Sequence, residues 1–291
     1  MKVYLVDATY ELFRAYYGAP GRTAPDGREV GAVYGLMASL LPWLAKLRGE
    51  ALGFATDHVI ESFRNTLWPG YKSSAGIPQE LVDQIPLAEQ ALRALGMVVW
   101  PMVEFEADDA MATAAARFQA LADQVYLVSP DKDFAQCVQG NHVVVLDRHR
   151  QRVLDEPGVL ARFGVGPRSV PDWLALVGDA ADGIPGIPGW GGRSAATVLR
   201  RFFHIEQIPL DAASWNFPLR NKERLAESLR THWNEALLFK TLTTLRLDVP
   251  LPQQYLQDLV WPGPAWDGLS SFCARWGFEK LLARAEALFG R

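Results

Sequence analysis

Short, almost uninterrupted apolar runs alternate with longer stretches of helical periodicity through the first half of the chain. Val3–Val6, Leu52–Ala55, Met97–Trp100, Val125–Val128 and Val143–Leu146 read as strands. Between them Val33–Leu47, Leu81–Leu95, Ala107–Leu121 and Lys132–Val138 read as helices. Strands that are apolar at every position, rather than at every second one, are covered on both faces. With helices between them they predict an α/β fold with a mostly parallel central sheet and flanking helices. From about Pro171 the strand pattern stops. Trp173–Val177, Ser194–Phe203, Lys222–Leu229 and His232–Thr244 predict a helical region that packs on the sheet domain, so the division expected is 1–170 and 171–291. Pro250–Pro264 is proline-rich, yet Tyr255, Leu256 and Trp261 predict that it packs against the body.

Composition narrows the class. The 291 residues are 49% hydrophobic and 21% charged, the balance of a globular enzyme, and long enough for one large core or two domains. A net charge of −4 excludes a uniformly basic coat but not a local basic surface. Cys137 and Cys273 show no zinc-like spacing and cannot build a disulfide framework, so two reduced thiols are expected. The N-terminus has no signal-like segment and no apolar run reaches about 18 residues, which predicts a cytoplasmic protein with no membrane span.

The acids change the picture. Asp7 and Asp57 each close an apolar strand, where ligands of parallel sheets gather. Each could equally be a helix cap. Glu106-Ala107-Asp108-Asp109 opens an alanine-rich helix with more acids than capping requires. Asp131-Lys132-Asp133 follows a strand directly, and Asp179-Ala180-Ala181-Asp182 adds two more. Nine such acids either scatter over the surface or are held together by divalent cations, and their convergence on one sheet edge favours the cations. Oxygen-only sites suit Mg²⁺ or Mn²⁺, and a pair of such ions cleaves phosphodiesters. Beyond Asp182 the run Gly183-Ile-Pro-Gly-Ile-Pro-Gly-Trp-Gly-Gly-Arg-Ser, continuing to Thr197, is a glycine-rich loop leading into a helix. Such a loop can grip a phosphodiester backbone without reading bases, although Gly-Pro runs are also plain turns.

These motifs together resemble the 5′-nuclease superfamily, in its bacterial flap endonuclease and 5′-3′ exonuclease branch. That branch includes the N-terminal nuclease domain of DNA polymerase I and free-standing relatives such as exonuclease IX. The matching stretches are Leu5-Val6-Asp7, Ala32-Val33-Tyr34-Gly35, Ser62-Phe63-Arg64, Gly70-Tyr71-Lys72, Glu104–Asp109 and Ser129–Asp133. Gly178–Asp182, Gly186–Thr197, Phe239–Val249 and Phe272–Leu281 extend the match over nearly the whole chain. The resemblance implies that Asp7, Asp57, Glu106, Asp108 and Asp109 hold one Mg²⁺ or Mn²⁺ ion and Asp131, Asp133, Asp179 and Asp182 a second. It implies a helical arch over roughly 68–85, with Arg64 and Lys72 at its base as catalytic cations beside the scissile phosphate. Tyr71 is then a candidate to stack on an unpaired base, with core packing as the other reading. A helix–three-turn–helix module, carried here by Gly186, Gly189, Gly191, Gly192, Arg193 and Ser194, is implied to bind duplex DNA and a K⁺ ion.

Two departures stand out. Ser73-Ser74-Ala75-Gly76 supplies no second basic residue after Lys72, and Ala8-Thr9 follows Asp7 where relatives often carry Gly. With Arg291 as the last residue, the expectation is a stand-alone, monomeric 5′ nuclease acting on branched or 5′-ended DNA in replication or repair. The alternatives are a catalytically weak DNA-binding relative, against which the intact acid set speaks, and a PIN-like ribonuclease, which would not need the glycine loop.

Overall fold

The apolar runs fold as strands. The computed structural model describes residues 1–18 and 20–290. Residues Lys2–Asp7 form β1, Ala51–Asp57 β2, Val98–Met102 β3 and Gln124–Val128 β4, in the order β3-β2-β1-β4. The pairings among these four are parallel: Val3 to Val6 of β1 stand opposite Ala51 to Phe54 on one side and Val125 to Val128 on the other. Val3, Leu5, Val6, Leu52, Phe54, Val125 and Leu127 are all buried, as two-faced cover demands. Gly53 of β2 has a local reason: the Trp100 indole lies where a Cβ would be, only 2.3 Å away.

The chain separates into two compact units that do not follow chain order. The first comprises residues 1–60, 74–129 and 247–291, and the second 61–73 and 130–246. In the first, helices Ala8–Gly18 and Gly31–Leu44 follow β1, Ile85–Ala94 follows β2, and Ala107–Phe118 joins β3 to β4. Helices Trp266–Trp276 and Glu279–Phe289 complete this unit. In the second, Val143–Asp147 (β5) and Arg152–Leu154 (β6) pair antiparallel, and the remainder is largely helical. Its helices include Val170–Val177, Gly192–Phe202, Lys222–Thr231 and Trp233–Thr243.

Several elements differ from the sequence pattern for identifiable reasons. The single helix expected over 81–95 is split into Gln79–Val82 and Ile85–Ala94, because Pro86 lacks the N–H of a helix interior and favours a new first turn. That four-residue turn is the helical content between Trp68 and Gln84, less than a helical arch over 68–85 would carry. Residues Asp133–Cys137 form a tight 3₁₀ turn rather than the α-helix expected over 132–138. Strand β6 had no apolar signature, since Arg152 and Val153 are exposed. In the proline-rich stretch Leu256 and Trp261 are buried, with the Trp261 indole donating to the Leu95 carbonyl at 2.8 Å. Tyr255 instead is 69% exposed. Cys137 and Cys273 form no disulfide with one another, and Cys273 is buried.

Candidate active site

In the first unit Asp7 and Asp57 stand at the carboxyl ends of the neighbouring strands β1 and β2, and Glu106, Asp108 and Asp109 at the start of the helix Ala107–Phe118, whose first amide meets Asp57. Asp7 ends β1, with Oδ1 accepting from the Tyr10 amide at 2.8 Å and Oδ2 from the Ser129 hydroxyl at 3.1 Å. Asp57 ends β2; its amide donates to Thr9 Oγ1 at 2.7 Å and its Oδ1 accepts from the Ala107 amide at 2.8 Å. The capping alternative is realised at Asp7, which caps the helix it precedes, whereas Asp57 spends one oxygen on the first amide of a helix distant in sequence. Glu106 precedes the helix Ala107–Phe118, and its amide donates to Asp109 Oδ2 at 3.1 Å. Glu106 and Asp109 are buried and Asp108 is partly exposed. Ser129, which bonds the Asp7 carboxylate, and Thr9, which bonds the Asp57 amide, were given no site role by the sequence. A hydroxyl two or three positions from a strand-end acid is a faint signal.

The second unit gathers the other acids more tightly. Asp133, Asp179 and Asp182 offer carboxylate oxygens that all lie within 4.8 Å of one another. Two backbone devices place them. Asp179 and Ile184 exchange both amide–carbonyl bonds, at 2.7 and 2.8 Å, closing the loop that carries Asp182. Asp131 Oδ1 accepts from the Asp133 amide at 2.8 Å, which starts the 3₁₀ turn. Asp131 itself is exposed.

Two lysines answer part of this charge. Lys132 Nζ bonds Asp179 Oδ2, and Lys72 Nζ stands 3.3 Å from Asp182 Oδ1. Burial works against the Lys132 ammonium, but the Asp179 hydrogen bond and the charges of Asp133, Asp179 and Asp131 outweigh it and raise its pKa. Asp133 gains no such partner. It is buried, its Oδ1 makes no hydrogen bond, and burial together with Asp131, Asp182 and Asp179 pushes its carboxyl well above the usual range. A buried, unsatisfied carboxylate oxygen among three crowded acids is the vacancy in bonding that a hard divalent cation fills. The donor set therefore fits such an ion.

The strap Glu61–Ser73 carries the two expected cations, and the structure separates their roles. The Lys72 amide donates to the Asp182 carbonyl at 3.1 Å, and the Trp68 indole donates to the Gly183 carbonyl at 3.1 Å. A Cβ on Gly183 would stand 1.9 Å from the Gly70 carbonyl oxygen, so only glycine permits this approach. Lys72 is thus held at the acid cluster by its own backbone. Arg64 is 1% exposed, and its Nε and one terminal nitrogen donate to the Leu242 and Thr244 carbonyls at 2.8 and 3.2 Å. Those carbonyls end the helix Trp233–Thr243, a seat for a helix-terminating cation rather than an open contact for substrate. Tyr71 is also buried, which favours core packing over base stacking.

The glycine loop resolves residue by residue. Gly186 is buried with φ +74°, and a Cβ there would meet the Val177 carbonyl carbon at 2.5 Å; its glycine serves the fold, not the approach of DNA. Gly189, at φ +84°, and Gly191 face open space. Gly192 begins the helix Gly192–Phe202 under the Trp173 ring. The Ser194 hydroxyl accepts from the Gly191 amide and donates to the Gly191 carbonyl, at 3.0 and 2.9 Å. Arg193 is exposed.

Comparison with known proteins decides the family. Residues 2–164 match the family model of the 5′-3′ exonuclease N-terminal resolvase-like domain, and 165–266 that of the 5′-3′ exonuclease C-terminal SAM fold. The chain belongs to the 5′-3′ exonuclease family. The 5′-3′ exonuclease of Aquifex aeolicus (strain VF5) is 31% identical over 265 residues, covering 88% of this chain and 91% of that one. The DNA polymerase I of Bacillus caldotenax is 31% identical over 294 residues, covering 98% of this chain and 32% of the polymerase, so the chain spans about a third of that relative. Among solved structures, a phage T5 protein crystallised with metal ions shares the fold at TM-score 0.67 and 18% identity, covering 98% of this chain and 100% of that one. The catalytic core of Rad2 in complex with a DNA substrate does so at 0.63 and 15%, covering 100% and 92%. No helix among the described residues is long and apolar enough to cross a membrane.

Proposed function

We propose that this member of the 5′-3′ exonuclease family is a structure-specific 5′ nuclease that hydrolyses DNA phosphodiesters at flaps or 5′ ends with two divalent ions, in replication or repair. The observation that carries the reading is the crowded trio Asp133, Asp179 and Asp182 with an unsatisfied buried oxygen, set against Lys72. Asp131, Asp133, Asp179 and Asp182 would hold one Mg²⁺ or Mn²⁺ ion, and Asp7, Asp57, Glu106, Asp108 and Asp109 the other. When bound, such ions supply a water activated for in-line attack and stabilise the leaving oxygen.

The protein's own groups do the rest. Lys72, fixed through its backbone to Asp182, presents a cation where charge grows on the transferred phosphate. Arg64 positions: by capping the helix Trp233–Thr243 it ties that helix to the strap bearing Lys72. Gly189, Gly191, Gly192, Arg193 and Ser194 face the duplex backbone, and a K⁺ ion at this loop belongs to the same reading. Support comes from the family match over residues 2–266 and from fold neighbours whose structures hold metal ions or a DNA substrate. The proposed division of labour is catalytic over 1–170 and DNA-binding over 171–291.

Cleavage of end-labelled flap, nicked and single-stranded DNA, with Mg²⁺ and with EDTA, tests the proposal. Metal-dependent release of 5′ products, abolished in Asp131→Asn while DNA binding in Ca²⁺ persists, is expected. Binding without cleavage in any metal would instead establish the catalytically weak relative.

A further inference from the structure

Outside the acid cluster, the glycine loop forms one side of a cavity of about 500 Å³ whose other side the sequence did not single out. That second wall is Leu219-Arg220-Asn221 and the start of the helix Lys222–Thr231, which contributes Arg224. Arg193 enters from the loop side, so three arginines line one pocket. No aspartate or glutamate lines it. None of the three arginines makes an ion pair among the described residues, whereas Arg230 on the same helix is paired to Glu227. Three exposed, unpaired guanidinium groups converging on a cavity repel one another unless an anion joins them.

The backbone adds to the same sign. Asn221 caps the helix Lys222–Thr231 in the left-handed conformation, φ 59°, with no hydrogen bond from its side chain to the first turn. The helix Gly192–Phe202 starts at the opposite wall. Both helices therefore direct positive dipole ends and amide N–H groups toward the pocket region. No aromatic side chain lines it, so it offers no stacking platform for a base.

We infer that Arg220 and Arg224, facing Arg193 and the glycine loop, complete a two-walled seat for a backbone phosphate of duplex DNA. The inference rests on the functional reading above and adds to it residues beyond the glycine loop. They are positioning residues: they hold the duplex and take no part in bond cleavage. A pocket that reads charge and lacks stacking surface binds duplex of any sequence, with its bases turned inward, rather than a single-stranded tail.

The test is binding of a blunt duplex and of a 5′-flap duplex in Ca²⁺, followed by fluorescence anisotropy over a salt titration, with single-turnover cleavage in Mg²⁺ at saturating enzyme. The Arg220→Ala/Arg224→Ala variant should bind both DNAs about ten-fold more weakly and lower the slope of log affinity against log salt by about one to two units. Its saturated cleavage rate should stay that of wild type. Arg220→Lys/Arg224→Lys should recover most of the slope, and Arg230→Ala should change nothing. An unchanged slope and affinity in the alanine variant, with wild-type protein binding and cleaving normally, overturns this assignment alone. A loss confined to the flap substrate also overturns it, because the seat would then hold the single strand. Wild-type protein that neither binds nor cleaves branched DNA overturns the functional reading and this assignment with it.

Discussion

Replacing Asp133 by Asn should raise the stability of the metal-free protein while removing its response to metal. Asp133, Asp179 and Asp182 hold ligand oxygens within 4.8 Å of one another, and Asp133 Oδ1 has no partner. Two full charges 4.8 Å apart repel by about 3.5 kcal/mol at an effective dielectric constant near 20. Burial and the neighbouring acids raise the pKa of Asp133, which relieves part of this repulsion. The expected gain is therefore smaller, about 1–3 kcal/mol, or about 2–4 °C in Tm for each kcal/mol in a chain of this size. The sign with pH follows. A raised folded-state pKa means that the native chain holds a proton which the unfolded chain, at the ordinary value of 3.8, has released. Metal-free stability is thus lost as pH rises from 3.8 through the raised value, and the penalty is complete above it. The gain from Asp133→Asn should grow over the same window. Mg²⁺ at about a hundred times its Kd should stabilise wild type by about 2.7 kcal/mol, and the variant far less. Calorimetry in EDTA and in Mg²⁺ from pH 4 to 8 measures both effects. A variant less stable than wild type in EDTA, yet still stabilised by Mg²⁺, would refute the argument that this oxygen awaits a cation.

Three further outcomes separate catalysis, binding and folding. Lys72→Ala should lower the single-turnover rate by about 10²–10³ with little change in substrate affinity, as pre-steady-state cleavage would show; a loss of affinity alone makes Lys72 a binding contact. Gly191→Val should fold normally, since φ is −136° and a Cβ meets nothing within 4 Å, while weakening duplex binding equally for different sequences in anisotropy assays. Arg64→Ala removes two charged hydrogen bonds from a buried guanidinium and should cost about 3–5 kcal/mol in urea denaturation. Arg64→Lys should restore only part of that stability, because an ammonium cannot reproduce the guanidinium fork.

The sequence by itself determined the parallel strands, the acids at their ends and the family. Uninterrupted apolar runs can only be buried on both faces, and aspartates at their C-terminal ends must then share an edge. What each residue does there was not legible, because that depends on partners distant in sequence. Arg64 and Lys72 sit eight positions apart, each directly after an aromatic residue. Only the tertiary structure buried one against the carbonyls of Leu242 and Thr244 and set the other beside Asp182. Gly186 and Gly191 look alike in a glycine-rich run, yet one is required by a backbone contact and the other faces open space. The same holds for Arg220 and Arg224, unremarkable in a polar segment until folding carried them opposite Arg193. Periodicity records which positions leave water. Charge pairing and close approach are settled by which segments meet, and it is the meeting that made one oxygen of Asp133 an orphan.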